Sequence, residues 1–343
     1  MKIKERRLVM NWYLQNGKDS DVAISTRVRL ARNINGYRFN INEAELELLE
    51  NKIKDNIFSL GFGLKFFKLK DMDDITKLSL VEKNLITSEF AFGNKNASIL
   101  INDDENICIM IGEEEHIRIQ VYNSGADLES TLNLAIEIDE KLEEILGYCI
   151  NKKYGYLTTC PNNLGTGLRA SVRVHLPALS KTRNLEKVLE AVSNFGINIK
   201  GIYDKNNKIV GDMYQISNKQ TLGLSEKEII QNLKIIVEKI IRQEREARRF
   251  LANEGIDLED QIYREYGILS NCKKITSEET KNLLSIVKMG VDLGILNELT
   301  DLKIQKLYLY TQSGNLQKYL GQQLETLERD VERAKVIKHI INE

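Results

Sequence analysis

Three groups of residues in this sequence could do chemistry. The first is Cys160-Pro-Asn-Asn-Leu-Gly-Thr-Gly-Leu-Arg169, which lies between two strand-like stretches. Its glycines allow a backbone to approach an anion, and exposed amides could cradle phosphate oxygens. It lacks the Gly-Lys-Ser/Thr of a phosphate loop and is not a GxGxxG before a helix, so taken alone it reads as well as a plain turn. The second is Glu113-Glu114-Glu115-His116-Ile117-Arg118, three carboxylates in a tight turn before a strand. A solvated acidic turn would look the same. A pocket for a cation is the alternative, and a guanidinium fits it, because its planar fork matches a carboxylate bidentately. The third is Arg27 and Arg29, with Arg32 just beyond; period-two spacing places Arg27 and Arg29 on one strand face. Exposed strand arginines also serve solubility alone.

The elements that must position these groups read as antiparallel strands with helices packed on them. ASILIN (97–102), ICIMI (107–111) and IRIQVY (117–122) are β-branched runs separated by polar turns, the pattern of hairpins. DVAISTRVRL from Asp21 alternates in the same way. YLTT, SVRVHL, INIKGIY and MYQIS continue the strand texture between 154 and 217, with a helix expected near 184–195. Helices are expected over 42–60 and 126–146, the latter closed by Gly147, and Trp12, Tyr13 and Leu14 could anchor a helical lead-in. Ser225 and Glu228 fit a capping box at the head of a long amphipathic helix ending near Gly255. Beyond it the chain reads as helices joined by short turns. The expected fold is α+β: an antiparallel sheet flanked by helices in a catalytic domain over residues 1–258, then an all-α domain over 259–343.

Bulk properties narrow the classes. A formal net charge of -1 over 343 residues supplies no basic field for nucleic acid. Four cysteines without CxxC spacing and three histidines give neither a disulfide framework nor a metal site, so no metal is expected on the chain itself. The basic N-terminus is not followed by an apolar segment, and no run is long enough for a membrane helix. A reduced, cytoplasmic setting is the expectation, with no membrane and no direct nucleic-acid partner.

DVAISTRVRLARN, GEEEHIRI and TTCPNNLGTGLRASVRVHLP occur in that order and together resemble the signatures of the phosphagen (guanidino) kinase family. At the second site the family usually has Asn-Glu-Glu-Asp-His-x-Arg; Gly112 and Glu115 stand here for the Asn and the Asp. The resemblance implies a kinase that uses ATP with Mg²⁺. It implies that Arg27, Arg29, Arg118 and Arg169 hold nucleotide phosphates and that Glu114, with Glu113 beside it, binds the guanidinium. Glu114 is then the base, and Cys160 lies next to the guanidino substrate. These roles make physical sense. A guanidinium with a pKa above about 12 is a poor nucleophile unless a carboxylate orients it and takes a proton, and phosphoryl transfer needs positive charge around the equatorial oxygens. A cysteine amid such charge is expected to have a lowered pKa.

Departures from the metabolic enzymes refine this. Only twenty residues precede Asp21, where those enzymes carry a helical domain, which suggests an open site. Arg173 stands where they place a histidine against the adenine, and Lys200-Gly201-Ile202-Tyr203 replaces their Arg-Gly-x-Arg. Together with TLGLSE, REYGILSNC and a helical tail, these features resemble the bacterial protein-arginine kinases of the McsB type. In the tail, Arg329-Asp330-Val331-Glu332-Arg333-Ala334 matches that group's RDxxRA motif for phosphoarginine. A spacing of four would stack Arg329 and Arg333 on one helix face, with Asp330 for the guanidino part. The resemblance implies an allosteric site there and a homodimer formed through the tail. It also implies protein substrates that include the repressor CtsR, a link to heat-shock regulation and ClpC–ClpP degradation, and an activator of the McsA type. Of Asp204 and Asp212, before MYQIS, Asp204 is the candidate to help hold the guanidinium. The alternatives are a kinase of free arginine or another small guanidino compound, and a non-catalytic phosphoarginine-binding adaptor.

Overall fold

The computed structural model describes residues 11–93, 96–183, 185, 188, 196–203, 207–253 and 255–343. Among them, eight strands form one antiparallel sheet in the order β2-β3-β4-β5-β1-β8-β10-β9. These are β1 (Ala23–Arg32), β2 (Lys65–Lys68), β3 (Ser98–Ile101), β4 (Ile107–Ile111), β5 (Ile117–Ser124), β8 (Leu168–His175), β9 (Ile197–Tyr203) and β10 (Ile209–Asn218); β6 (Ile150–Asn151) and β7 (Gly155–Tyr156) form a separate small hairpin. The YLTT stretch differs from expectation: only Gly155–Tyr156 pairs as a strand, and residues 157–160 run as loop toward Cys160. The helix expected near 184–195 lies almost wholly outside the described residues.

One face of the sheet is apolar. Val28 and Leu30 of β1, Ile119 and Val121 of β5, and Ala170 and Val172 of β8 are buried there under α1 (Glu43–Asp55), α5 (Leu128–Leu146) and α7 (Glu226–Asn253). Helix α5 begins at the Asp127 cap and stops at Gly147, whose φ of 70° suits a residue without a Cβ. The capping box of α7 forms as expected: Ser225 Oγ accepts from Glu228 N, and Ser225 N donates to the Glu228 carboxylate.

The opposite face is covered in two places. Over β3–β5, α3 (Asp74–Glu82) and α4 (Ser88–Gly93) build a small core around Leu80, Phe90, Ile99 and Met110. At the other end sits the helical tail: α8 (Ile256–Asn271), α9 (Ser277–Asp292), α10 (Asp301–Tyr310), α11 (Ser313–Leu320) and α12 (Thr326–Asn342), which share their own core around Ile262, Leu284, Leu307 and Ile337. Among the described residues no helix is long and apolar enough to cross a membrane.

Buried charge fastens the tail to the sheet. Arg248 of α7 is 3% exposed; it donates to Glu244, to Asp292 of α9 and to His175 Nδ1 and O. Because Nδ1 accepts there, the His175 proton sits on Nε2, facing Ser285 Oγ at 2.9 Å, and Ser285 in turn donates to Asp212 at 2.6 Å. Asp212 therefore serves this junction, while Asp204 lies outside the described residues.

Candidate active site

The uncovered strip between α3–α4 and the tail holds the arginines. On β1, Arg27 and Arg29 alternate with buried Thr26, Val28 and Leu30, of which Val28 and Leu30 point into the apolar core. Sheet register brings the others alongside: Arg169 of β8 lies directly opposite Arg29, Arg118 of β5 opposite Ala31, and Arg173 opposite Ser25. Residues directly opposite share a face, so the cations collect on one side of three adjacent strands. Like charges in that relation repel and destabilise a sheet unless an anion intervenes. Burial, then Arg27, Arg118 and Arg169, hold the Arg29 guanidinium well below its ordinary pKa.

Two atoms show what the strip lacks. Arg27 Nε and Arg29 Nε are buried without a hydrogen-bond partner, and buried donors are rarely left so. Phosphate oxygens would satisfy them and relieve the repulsion, so the residues present fit a nucleotide's phosphates. Arg32, next along the chain, behaves differently. It is 1% exposed, bound to both oxygens of Asp139 and stacked 3.5 Å over the Tyr156 ring, and so belongs to the core.

The glutamate turn forms the opposing wall. Arg118 donates to Glu113 at 2.8 Å and to Glu114 at 3.0 Å. The Glu113 side chain is 15% exposed and that of Glu114 47%, so Glu114 is the carboxylate an incoming cation would meet. A cavity of about 600 Å³ opens here, lined by Arg29, Arg118 and Arg169 on one side and by Glu89, Glu113, Glu114 and Cys160 on the other.

Glu115, named in the sequence only as the counterpart of the family's Asp, has a structural role that its position did not disclose. It is 1% exposed and accepts hydrogen bonds from Asn33 Nδ2, Thr159 N, Cys160 N and Asn163 Nδ2 at 2.7 to 3.1 Å. It thereby ties the cysteine loop to the glutamate turn. His116 closes the same corner: its Nδ1 accepts from Ile34 N, so Nε2 donates to Arg38 O. The only available signal was Glu115's place in the acidic run, which cannot tell an anchor from a ligand.

One open alternative is decided and two expectations are corrected. The cysteine loop's glycines do not open an anion cradle. Gly165 (φ 105°) and Gly167 (φ 63°) lie against Thr221 O and Ala31 O, where a Cβ would collide. The amides of Gly165 and Thr166 already donate to Tyr156 O and Thr221 O. The Cys160 thiol is pushed up, not down: burial, and then the hydrogen bond and charge of Glu114, outweigh its amide contact. In the tail, Arg329 and Arg333 do not stack as a surface clamp. Arg333 is 1% exposed and donates to Thr311 O, Ile275 O and Asp330, while Arg329 binds Leu324 O and Thr326 Oγ1. Burial lowers the Arg333 pKa, outweighing the hydrogen bond and charge of Asp330, which raise it.

Comparison with known proteins identifies the family. The family model "ATP:guanido phosphotransferase, C-terminal catalytic domain" matches residues 48–247, and "Protein-arginine kinase McsB C-terminal domain" matches 255–343. The protein-arginine kinase of Halothermothrix orenii is 41% identical over 336 residues, covering 97% of this chain and 96% of the relative. That of Halalkalibacterium halodurans is 41% identical over 334 residues, covering 95% and 94%. The chain belongs to the protein-arginine kinase family. The family's catalytic fold is shared with lombricine kinase, whose crystal structure aligns with a TM-score of 0.58 at 26% identity over 71% of this chain and 70% of that one. It is shared also with a duplicated taurocyamine kinase from Schistosoma mansoni, solved with bound transition state analog components. There the TM-score is 0.60 at 24% identity over 76% of this chain, which spans only 38% of that longer enzyme; this likeness concerns fold alone. A protein-arginine kinase is a phosphotransferase, and a strip of cations facing a wall of carboxylates is what such chemistry requires.

Proposed function

We propose that this protein transfers the γ-phosphate of ATP to the guanidino group of arginine residues in other proteins. The observation that carries the reading is the pairing of Arg118 with Glu114 at 3.0 Å, beside two arginines with unpartnered buried Nε atoms. It sets a phosphate-binding cation and a base next to each other, as in-line transfer to a nitrogen needs. In this mechanism Arg27, Arg29, Arg118 and Arg169 hold the phosphates, and Arg29 and Arg169, opposite each other, flank the transferring group. Glu114, with Glu113, orients the substrate guanidinium and accepts its proton as the N–P bond forms and the bond to ADP breaks. Cys160, held by Glu115, forms the cavity wall beside that guanidinium. Mg²⁺ bound to the nucleotide would neutralise charge between its phosphates. In this proposal the ion comes with the nucleotide.

The wider reading follows the family. Arg329, Asp330 and Arg333 are proposed as an allosteric phosphoarginine site. With Arg333 held by two backbone carbonyls, binding there would have to rearrange the α9–α10–α12 junction. Dimerisation through the tail, cytoplasmic location, CtsR among the substrates, delivery to ClpC–ClpP in the stress response and a McsA-type activator belong to the same proposal. Incubation with MgATP and an unfolded protein, followed by mass spectrometry that preserves acid-labile P–N bonds, tests the core of it. Phosphoarginine should form with wild type and not with Glu114→Gln. Turnover of free arginine alone would refute the protein acceptor, and no phosphoarginine at all would leave only a binding role.

A further inference from the structure

A second cavity, of about 710 Å³, lies between the sheet and the helical tail. Arg27 and Arg173 line it from the sheet, Trp12 and Tyr122 from one end, and Lys281 of α9 and Tyr308 of α10 from the tail. It adjoins the first cavity, since Arg27 lies two residues from Arg29 on β1. Successive same-face positions on a strand are roughly 7 Å apart. Arg29, Arg27 and the level of Arg173 (opposite Ser25) therefore form a descending row of cations. A triphosphate whose outer phosphate lies among Arg29, Arg118 and Arg169 would run its inner phosphates along that row.

Lys281 stands at the tail side of the row. It makes no hydrogen bond or ion pair among the described residues, and it feels the charges of Glu82, Arg173 and Arg333. Burial, first of all, lowers its pKa. Lys281 is half-buried, and a partly desolvated ammonium without a hydrogen-bonded partner is a ready site for an anion. Glu82 offsets part of the charge but makes no hydrogen bond to Lys281: its oxygens accept from Gly314 N, Asn315 N and Asn315 Nδ2 at 2.8 to 3.0 Å. Among the described residues Arg173 is engaged by Asn84 Oδ1 alone, at 2.8 Å, and burial and Arg27 hold its pKa down to about 10. The two cations and the orphaned Arg27 Nε thus face the cavity together, with apolar walls beyond them.

We propose that Lys281, supplied by the helical tail, binds an oxygen of the nucleotide's α-phosphate, so that the tail completes the nucleotide site. This rests on the reading of the first cavity as the site of phosphoryl transfer. The test uses Trp12, the chain's one tryptophan, which stacks on Tyr122 at 5.3 Å in the same cavity. Its emission is followed as ADP or adenosine is titrated into the full-length protein. In Lys281→Met the Kd for ADP should rise about tenfold or more, the weight of a charge-assisted hydrogen bond. Adenosine binding should be unchanged, and Lys281→Arg should keep most of the ADP affinity. Without ligand, Lys281→Met should unfold at no lower a temperature than wild type, because no bond is lost, while its thermal shift on adding ADP shrinks. ADP affinity within twofold of wild type would overturn the proposal, as would equal losses for ADP and adenosine. If wild-type protein forms phosphoarginine yet ADP leaves Trp12 emission unchanged, the placement of the nucleotide in this cavity fails while the kinase reading stands.

Discussion

Glu114 and Cys160 share one wall of the first cavity, and each bears on the other's protonation. Burial and Glu114 keep the Cys160 thiol above its ordinary pKa. Its alkylation by iodoacetamide should be slow at neutral pH and rise only as pH climbs past that ordinary value. Glu114→Gln should speed alkylation at a fixed pH by removing the carboxylate; an unchanged rate would mean that burial alone sets the thiol. The same substitution should lower the transfer rate by roughly 10²–10⁴-fold, the usual weight of a general base. Glu115 acts at a distance from the phosphoryl group. Glu115→Ala strands donors from Asn33, Thr159, Cys160 and Asn163. It should cost about 2–4 kcal/mol of stability on denaturant unfolding, with a larger fall in kcat than in ADP affinity.

At the scale of elements, the α7–β8–α9 junction is the most demanding part of the molecule. Arg248 sits between Glu244 and Asp292, whose pKa values are both raised by burial even with the arginine present. Arg248→Met would leave buried Glu244 with only the Ala178 and Leu179 amides and buried Asp292 with only Lys288, and should destabilise by about 3–5 kcal/mol, read as a shift in the unfolding midpoint. The same junction makes stability pH-dependent. Burial, then Arg248 and Lys288, depress the His175 pKa well below 6.5. The unfolded chain therefore binds this proton first on acidification. The stability His175 confers is fully present above about pH 6.5 and declines below it, by up to about 1.4 kcal/mol per pH unit. His175→Gln should flatten that slope between pH 6.5 and 5, and an unaltered slope would assign it to other groups.

At the scale of the whole molecule, the tail is part of the structure around the site. Helix α9 contacts β10 through Asn282–Gly211 and Ser285–Asp212, and α11 is capped by Glu82 of α3. A chain cut after residue 254 would bare these contacts and the cavity's tail-side wall. It should aggregate or lose ADP-induced protection, judged by size-exclusion chromatography and thermal shift; a well-behaved fragment with full ADP affinity would show that the tail is dispensable for the nucleotide.

Much of this was legible in the sequence because it depends on local pattern. Strand alternation in DVAISTRVRL and the β-branched runs at 97–122 determine which side chains share a face. Ser225–Glu228 and Gly147 mark helix ends. Three ordered motifs name the chemistry, since phosphoryl transfer to a guanidinium demands those residue types. What the tertiary structure decided depends on register and burial, which sequence spacing does not encode. Antiparallel pairing brought Arg169 opposite Arg29, at opposite ends of a 140-residue separation. Burial made Glu115 an anchor and Glu114 the accessible carboxylate, though both stand in one acidic run. It turned Arg333 inward, raised the Cys160 thiol, and left Lys281 unpaired where the tail meets the sheet. Charge carried by a side chain is a property of its type, whereas its partner and its solvation are properties of the fold.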